Sequence, residues 1–193
     1  MSGKIKHSRT EALVVARELT AQLQSRCEPE RFIFAGSLRR LKAEVGDIEI
    51  VYVPRIEQQP DPSDLLGNRV LTNQVDAILN QWLKSGIISK RVGEKGGTAW
   101  GPSNKLALHV GSGIGIDFFQ ATQQTFWTLL VCRTGSAEMN TRICNAAIAR
   151  GQTWNMYRGF EDRLTGDLLF VPESEEALFA HVRLPYLLPK DRF

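Results

Sequence analysis

Behind Ser8 the apolar residues Ala12, Val15, Ala16, Leu19 and Leu23 recur at helical spacing. Ser8-Arg9-Thr10-Glu11 has the form of a capping box, serine followed by glutamate three residues on. The pattern predicts a basic arm over 1–7 and a helix that ends before Pro29. Residues 31–35 then read as a strand, Gly36-Ser37 as a turn, 38–42 as a short helix, and 45–53 as a second strand stopped by Pro54. Pro54, Pro60 and Pro62 predict a loop over 54–64. Asp64 is placed to cap a helix carrying Leu65, Leu66, Val70, Val75, Ile78, Leu79, Trp82 and Leu83, with Gly86 as its stop. A strand over 87–92 follows, then a glycine-rich stretch over 93–102. Two further strands, 105–110 and 114–119, flank the hairpin signal Gly111-Ser112-Gly113.

After Phe126 the pattern changes. Thr134-Gly135-Ser136 breaks the chain, and Ser136 can cap a helix to Arg150 with Met139, Ile143, Ala146 and Ala147 as its buried stripe. Residues 153–157 and 168–171 read as short strands. Ser174 opens a last helix with Leu178, Phe179 and Val182, and the tail from Leu187 reads as extended. This alternation predicts an α+β fold: a mixed, largely antiparallel sheet with helices on one side, followed by a small α+β subdomain. The division falls at 1–128 and 129–193.

Composition narrows the class. The 193 residues are 42% apolar and 23% charged, ordinary for one or two small globular domains. No apolar run approaches the length of a membrane span, and the first residues lack the apolar core of a signal peptide, so a cytoplasmic protein without a membrane partner is expected. Cys27, Cys132 and Cys144 are widely spaced without a CxxC pair, which predicts reduced thiols and no zinc site. The net charge of +3 says little, but Lys84, Lys90, Arg91, Lys95 and Lys105 face only Glu94 as an acid in their window. Such a strip can follow a nucleic-acid backbone, although on charge alone a solvated face is the simpler reading.

The chemistry gathers on two strands. A strand has a side-chain period of two, so Asp47 and Glu49 point to one face while Ile48 and Ile50 point to the other. Two acids that close repel unless a cation sits between them, and hard oxygen donors suit Mg²⁺. Asp117 stands in a strongly apolar strand, as a third metal ligand or as a paired structural acid. A glycine turn such as Gly36-Ser37 lets backbone N–H groups approach a phosphate, and a following helix points its positive end there. Together these features point to phosphoryl transfer. The glycine-rich stretch at 93–102 lacks the order of a P-loop.

Gly36-Ser37-Leu38-Arg39-Arg40, Gly46-Asp47-Ile48-Glu49, Ile116-Asp117 and Thr134-Gly135-Ser136 with Asn140 resemble the family X DNA polymerases, within the wider nucleotidyltransferase superfamily. The Gly-Ser turn and the paired acids mark the superfamily; the Thr-Gly-Ser helix narrows the match to polymerases. The resemblance runs from about Ser8 to the closing Pro189-Lys190-Asp191-Arg192. It covers the palm and the nucleotide-selecting C-terminal subdomain, as in minimal viral members, with no counterpart of the lyase or helix-hairpin-helix domains.

The resemblance implies that Asp47, Glu49 and Asp117 are catalytic and hold two Mg²⁺ ions, with Mn²⁺ as a substitute. One ion would bridge the triphosphate and the other would lower the pKa of the primer 3′-hydroxyl. It implies a nucleotide site of Gly36, Ser37, Arg40, Gly46, Arg9, Thr134, Gly135 and Asn140. In that site Ser37, Arg40 and Arg9 meet phosphates, Thr134 and Gly135 lie against the sugar, and Asn140 reaches the minor-groove edge of the base. Expected partners are gapped or primer-template DNA, dNTPs and a repair partner such as a ligase, with the enzyme itself a monomer. Four positions depart from the family pattern. Glu49 stands for an aspartate, and Cys132-Arg133 stand for two aromatics, which opens the site to rNTPs. Cys144 stands for a template-checking arginine, and Gly115 for an arginine beside the third acid. Template-independent terminal transfer to DNA or RNA, and an inactive nucleic-acid- or nucleotide-binding module, are the alternatives.

Overall fold

The computed structural model describes residues 5–60, 68–92 and 96–192. A two-residue strand β1 (His7–Ser8) leads into α1 (Arg9–Leu23). The capping box closes as the sequence requires: Ser8 Oγ accepts from Glu11 N at 3.2 Å, and Ser8 N donates to Glu11 Oε2 at 2.8 Å. All five residues of the predicted stripe are buried. The chain continues through β2 (Cys27–Phe34), the one-turn α2 (Gly36–Arg39), β3 (Glu44–Val45), β4 (Asp47–Pro54), β5 (Ile56–Pro60) and β6 (Arg69–Asn73). Then come α3 (Gln74–Ser85), β7 (Ile88–Lys90), β8 (Asn104–His109), β9 (Gly115–Gln120), α4 (Phe126–Thr134) and α5 (Ala137–Ile148). A small sheet of β10 (Gln152–Asn155), β11 (Gly159–Asp162) and β12 (Leu168–Phe170) is followed by α6 (Glu175–His181) and a 3₁₀ turn over Pro189–Asp191.

The central sheet has the order β2-β4-β9-β8-β7. All its pairs are antiparallel except β4 with β9, which run parallel. The fold is thus α+β with a mixed sheet, as expected. Alternation along β4 and β9 sorts the two faces. Ile48, Ile50, Ile116 and Phe118 enter the main core against α1 and α3. Val51, Val53 and Phe119 point the other way and pack on Phe126, Leu129 and Leu130 of α4. Helices therefore cover both faces, not one side as the sequence pattern implied. A third core joins α5, α6 and Phe160 of the small sheet.

Three local expectations change. The loop over 54–64 contains a strand, β5, paired antiparallel with β6 from Ile56↔Asn73 to Pro60↔Arg69. Proline is tolerated at the end of a two-stranded ribbon, where its missing N–H costs little. Val70 belongs to β6, and α3 starts only at Gln74, because Asn73 Oδ1 accepts from Val75 N and Asp76 N. Asp64, Leu65, Leu66, Gly93, Glu94 and Lys95 lie outside the described residues, as do residues 1–4 and Phe193. Helix α4 is buried on nearly all sides, so it carries no amphipathic period by which to find it. Among the described residues no helix is long and apolar enough to cross a membrane.

Candidate active site

The parallel register of β4 and β9 sets Glu49 opposite Asp117 and Asp47 opposite Gly115. Asp47, Glu49 and Asp117 thus share the face of the sheet that α4 covers farther along, at Val51 and Phe119. The three acids occupy the end that the helix leaves. Burial, then the charges of Asp47 and Asp117, push the Glu49 carboxyl up to about 7, against the pull of Arg133 and Arg40. Three carboxylates on one face are a mutually repelling set of hard oxygen donors, and that chemistry fits a divalent cation such as Mg²⁺. They do not close around an ion as they stand: among the described residues no group of three His, Cys, Asp or Glu side chains is arranged to hold one. A guanidinium lies there instead. Arg91 Nη2 is 2.7 Å from Asp117 Oδ1, and Arg91 Nη1 is 3.7 Å from Asp47 Oδ2.

Gly36 sits directly on Glu49. It has φ +56°, and a Cβ there would lie 1.8 Å from Glu49 Oε2. Both the turn and the close approach demand glycine. Gly36→Ala is therefore expected to lower stability by about 1–3 kcal/mol, from left-handed strain and displacement of the Glu49 carboxylate. Thermal unfolding checks this, and an unchanged midpoint would contradict the packing of Glu49 on Gly36. Beyond the turn, Ser37, Arg40 and Gly46 line a cleft of about 510 Å³ together with Lys6, Lys42, Ala43 and Glu44. This groups two of the expected phosphate-side residues, Ser37 and Arg40, with Gly46 of the expected nucleotide site. Because α2 is only one turn long, it could offer an anion its N–H groups but not a long helix dipole. Arg9 is not among the lining residues. Its backbone N donates to Ala43 O at 2.9 Å, and its Nε is buried without a hydrogen-bond partner among the described residues.

The Thr134–Ser136 segment is tied to the α2 region by two arginines. Arg40 Nη1 donates to the Thr134 carbonyl, and Arg39 Nη1 donates to Thr134 Oγ1 at 2.8 Å. Gly135 has φ +62°, its peptide bond to Ser136 is cis, and a Cβ on it would lie 3.1 Å from Arg40 Nη1. Ser136 Oγ caps α5 by accepting from Met139 N at 3.3 Å. Asn140 Nδ2 donates to Cys132 O at 2.8 Å, which ties the amide nitrogen to α4.

The expected nucleic-acid strip is not a continuous surface. Lys105 is buried and pairs with Asp76 at 2.9 Å, because β8 turns it toward α3. Arg91 is engaged with the acids. Lys84 lies in the last turn of α3, Lys90 stands 5.4 Å from the Trp100 ring centre, and Lys95 falls outside the described residues. Two arginines that the sequence did not place at the acids join the site: Arg91 reaches them from just past the end of β7, and Arg133 lies over the Phe119 ring at 3.7 Å, where its charge favours ionised Glu49.

No protein-family model matches the chain. It is 28% identical over 181 residues to the DNA polymerase/3′-5′ exonuclease PolX of Bacillus subtilis (strain 168). That alignment takes in 94% of this chain and 27% of the relative, so the chain spans little more than a quarter of that protein's length. The similarity is that of a distant homologue of a family X DNA polymerase.

Proposed function

We propose that this chain is a Mg²⁺-dependent nucleotidyltransferase that adds nucleotides to a DNA 3′-hydroxyl at short gaps and releases pyrophosphate. The observation that carries this reading is the parallel register that sets Glu49 against Asp117, two residues from Asp47, beside a cleft lined by Ser37, Arg40, Lys6 and Lys42. Asp47, Glu49 and Asp117 would hold the metal, which lowers the pKa of the attacking hydroxyl and neutralises phosphate charge. Ser37 and the cations of the cleft take the β- and γ-phosphates and stabilise the charge that builds on the departing pyrophosphate. Glu49, pressed on Gly36, is fixed in position before substrate arrives. Thr134 and Gly135, anchored by Arg39 and Arg40, offer backbone for the sugar to lie against.

A second reading, untemplated terminal transfer, is favoured by the commitment of Asn140 to the Cys132 carbonyl and by the cysteine at position 144, which leave few groups to check a base pair. Primer extension on a one-nucleotide-gapped duplex beside a single strand, with each dNTP and rNTP offered separately, separates the two. Addition of the templated nucleotide alone, at the gap, is expected. Untemplated addition to the single strand would replace gap filling with terminal transfer.

A further inference from the structure

We infer that Arg91 is the resident counter-ion of the acid face and that a divalent metal binds Asp47 and Asp117 only by displacing it. This inference rests on the proposed metal-binding role of the acids. Arg91 follows the last residue of β7, and its backbone N is fixed to Leu106 O at 2.9 Å, so the side chain starts from an anchored position. To reach Asp117 it crosses Gly115, which lies opposite Asp47 in the parallel register. A Cβ on Gly115 would meet Arg91 Nη1 at 2.5 Å. The guanidinium therefore occupies the volume that any other residue at position 115 would fill. Gly115 does not adopt a positive φ, so the backbone does not require glycine there. The space it leaves is what the arginine uses.

The charge relations follow from this placement. Three carboxylates on one face repel, and a guanidinium 2.7 Å from one and 3.7 Å from another relieves part of that repulsion without a metal. A cation that ligates the same oxygens meets a like charge at contact distance, so the two compete for the site. Arg91 thereby offsets part of the charge of the acid face in the metal-free protein and raises the metal concentration needed to load it.

Mn²⁺ alone, titrated into DNA-free and nucleotide-free protein and followed by the loss of free Mn²⁺ signal in electron paramagnetic resonance, tests this directly. Arg91→Gln, which keeps a polar side chain but removes the charge and shortens the reach, is expected to bind Mn²⁺ about tenfold more tightly than the wild type. Gly115→Ala, which keeps the charge and pushes the guanidinium aside, should shift affinity in the same direction by about threefold. Adding Asp117→Asn to either variant should abolish the gain. Unchanged or weaker Mn²⁺ binding in folded Arg91→Gln overturns the inference, as does a gain that survives Asp117→Asn. If Arg91→Gln fails to fold, Gly115→Ala decides alone. Tighter, Asp117-dependent binding by protein that adds no nucleotide to any DNA end would uphold the displacement and overturn the polymerase reading.

Discussion

Glu175→Ala is expected to cost about 3–5 kcal/mol, a large part of the stability of a domain this size. Glu175 opens α6 behind the Ser174 cap and is buried. It accepts from both terminal nitrogens of Arg39, each at 2.8 Å, and from Arg192 Nη1 at 2.9 Å. Arg192 has no exposed surface at all, and its cation stacks within 5.0 Å of the Phe179 ring centre. Truncating the carboxylate would strand the Arg192 guanidinium, which cannot reach water without opening the fold, and would leave the part-exposed Arg39 without its carboxylate partner. It is also expected to loosen Thr134, because Arg39 Nη1 donates to Thr134 Oγ1 as well. Burial alone would raise the Glu175 carboxyl, but Arg39 and Arg192 outweigh it and hold it below its ordinary 4.5. A depressed carboxyl contributes stability that is complete above its unfolded value and disappears as pH falls through the folded one. Urea denaturation of wild type and variant should therefore differ most at neutral pH and converge in acid, as the pH falls below the ordinary 4.5 and through the lowered folded value. A difference under about 1 kcal/mol at neutral pH would show that the triad is not coupled to folding.

Neutralising the acid face should separate stability from activity. Asp47→Asn, Glu49→Gln and Asp117→Asn are each expected to reduce nucleotide addition at least a thousandfold, roughly 4 kcal/mol of transition-state stabilisation. Glu49→Gln should at the same time stabilise the metal-free protein. The Glu49 carboxyl is raised to about 7 by burial and by its two acidic neighbours, so in the native state it resists ionisation. Its energetic cost is absent below the ordinary value of 4.5 and grows as pH rises through the raised one. The variant should thus gain about 1–3 kcal/mol over wild type above pH ~7 and nothing in acid. Denaturation midpoints in chelator, set beside incorporation rates, check both halves. A Glu49→Gln protein that is less stable at alkaline pH, or that retains activity, would remove Glu49 from the site.

Much of this arrangement was legible in the chain because local rules and tertiary packing agree there. The Ser8–Glu11 box, the α1 stripe and the period-two sorting of Asp47 from Ile48 follow from sequence spacing alone, and the structure keeps them. The Ser136 and Ser174 caps also fall where a serine precedes an apolar stripe. The rest depends on what lies across the sheet. Helix α4 is wrapped by core on most sides and shows no polar face. Asn73 prevails as a cap because β6 delivers it there, and the pairing of β6 with β5 is not local. Lys105 looks like any basic residue of its strip until β8 turns it onto Asp76. Arg91 is the sharpest case. Its place among the acids is set by the order of strands β9-β8-β7 and by the absence of a side chain at Gly115, and neither is visible near position 91.

Transfer of a nucleotide to DNA by the acid face leaves two products that can be counted. The folded protein is incubated with a one-nucleotide-gapped duplex, the templated dNTP and Mg²⁺, and both primer length and pyrophosphate are quantified. A primer one nucleotide longer, an equal amount of pyrophosphate, and loss of both on chelation are expected. Neither product with Mg²⁺ or Mn²⁺, from protein that retains its fold and still binds metal through Asp117, would contradict that transfer.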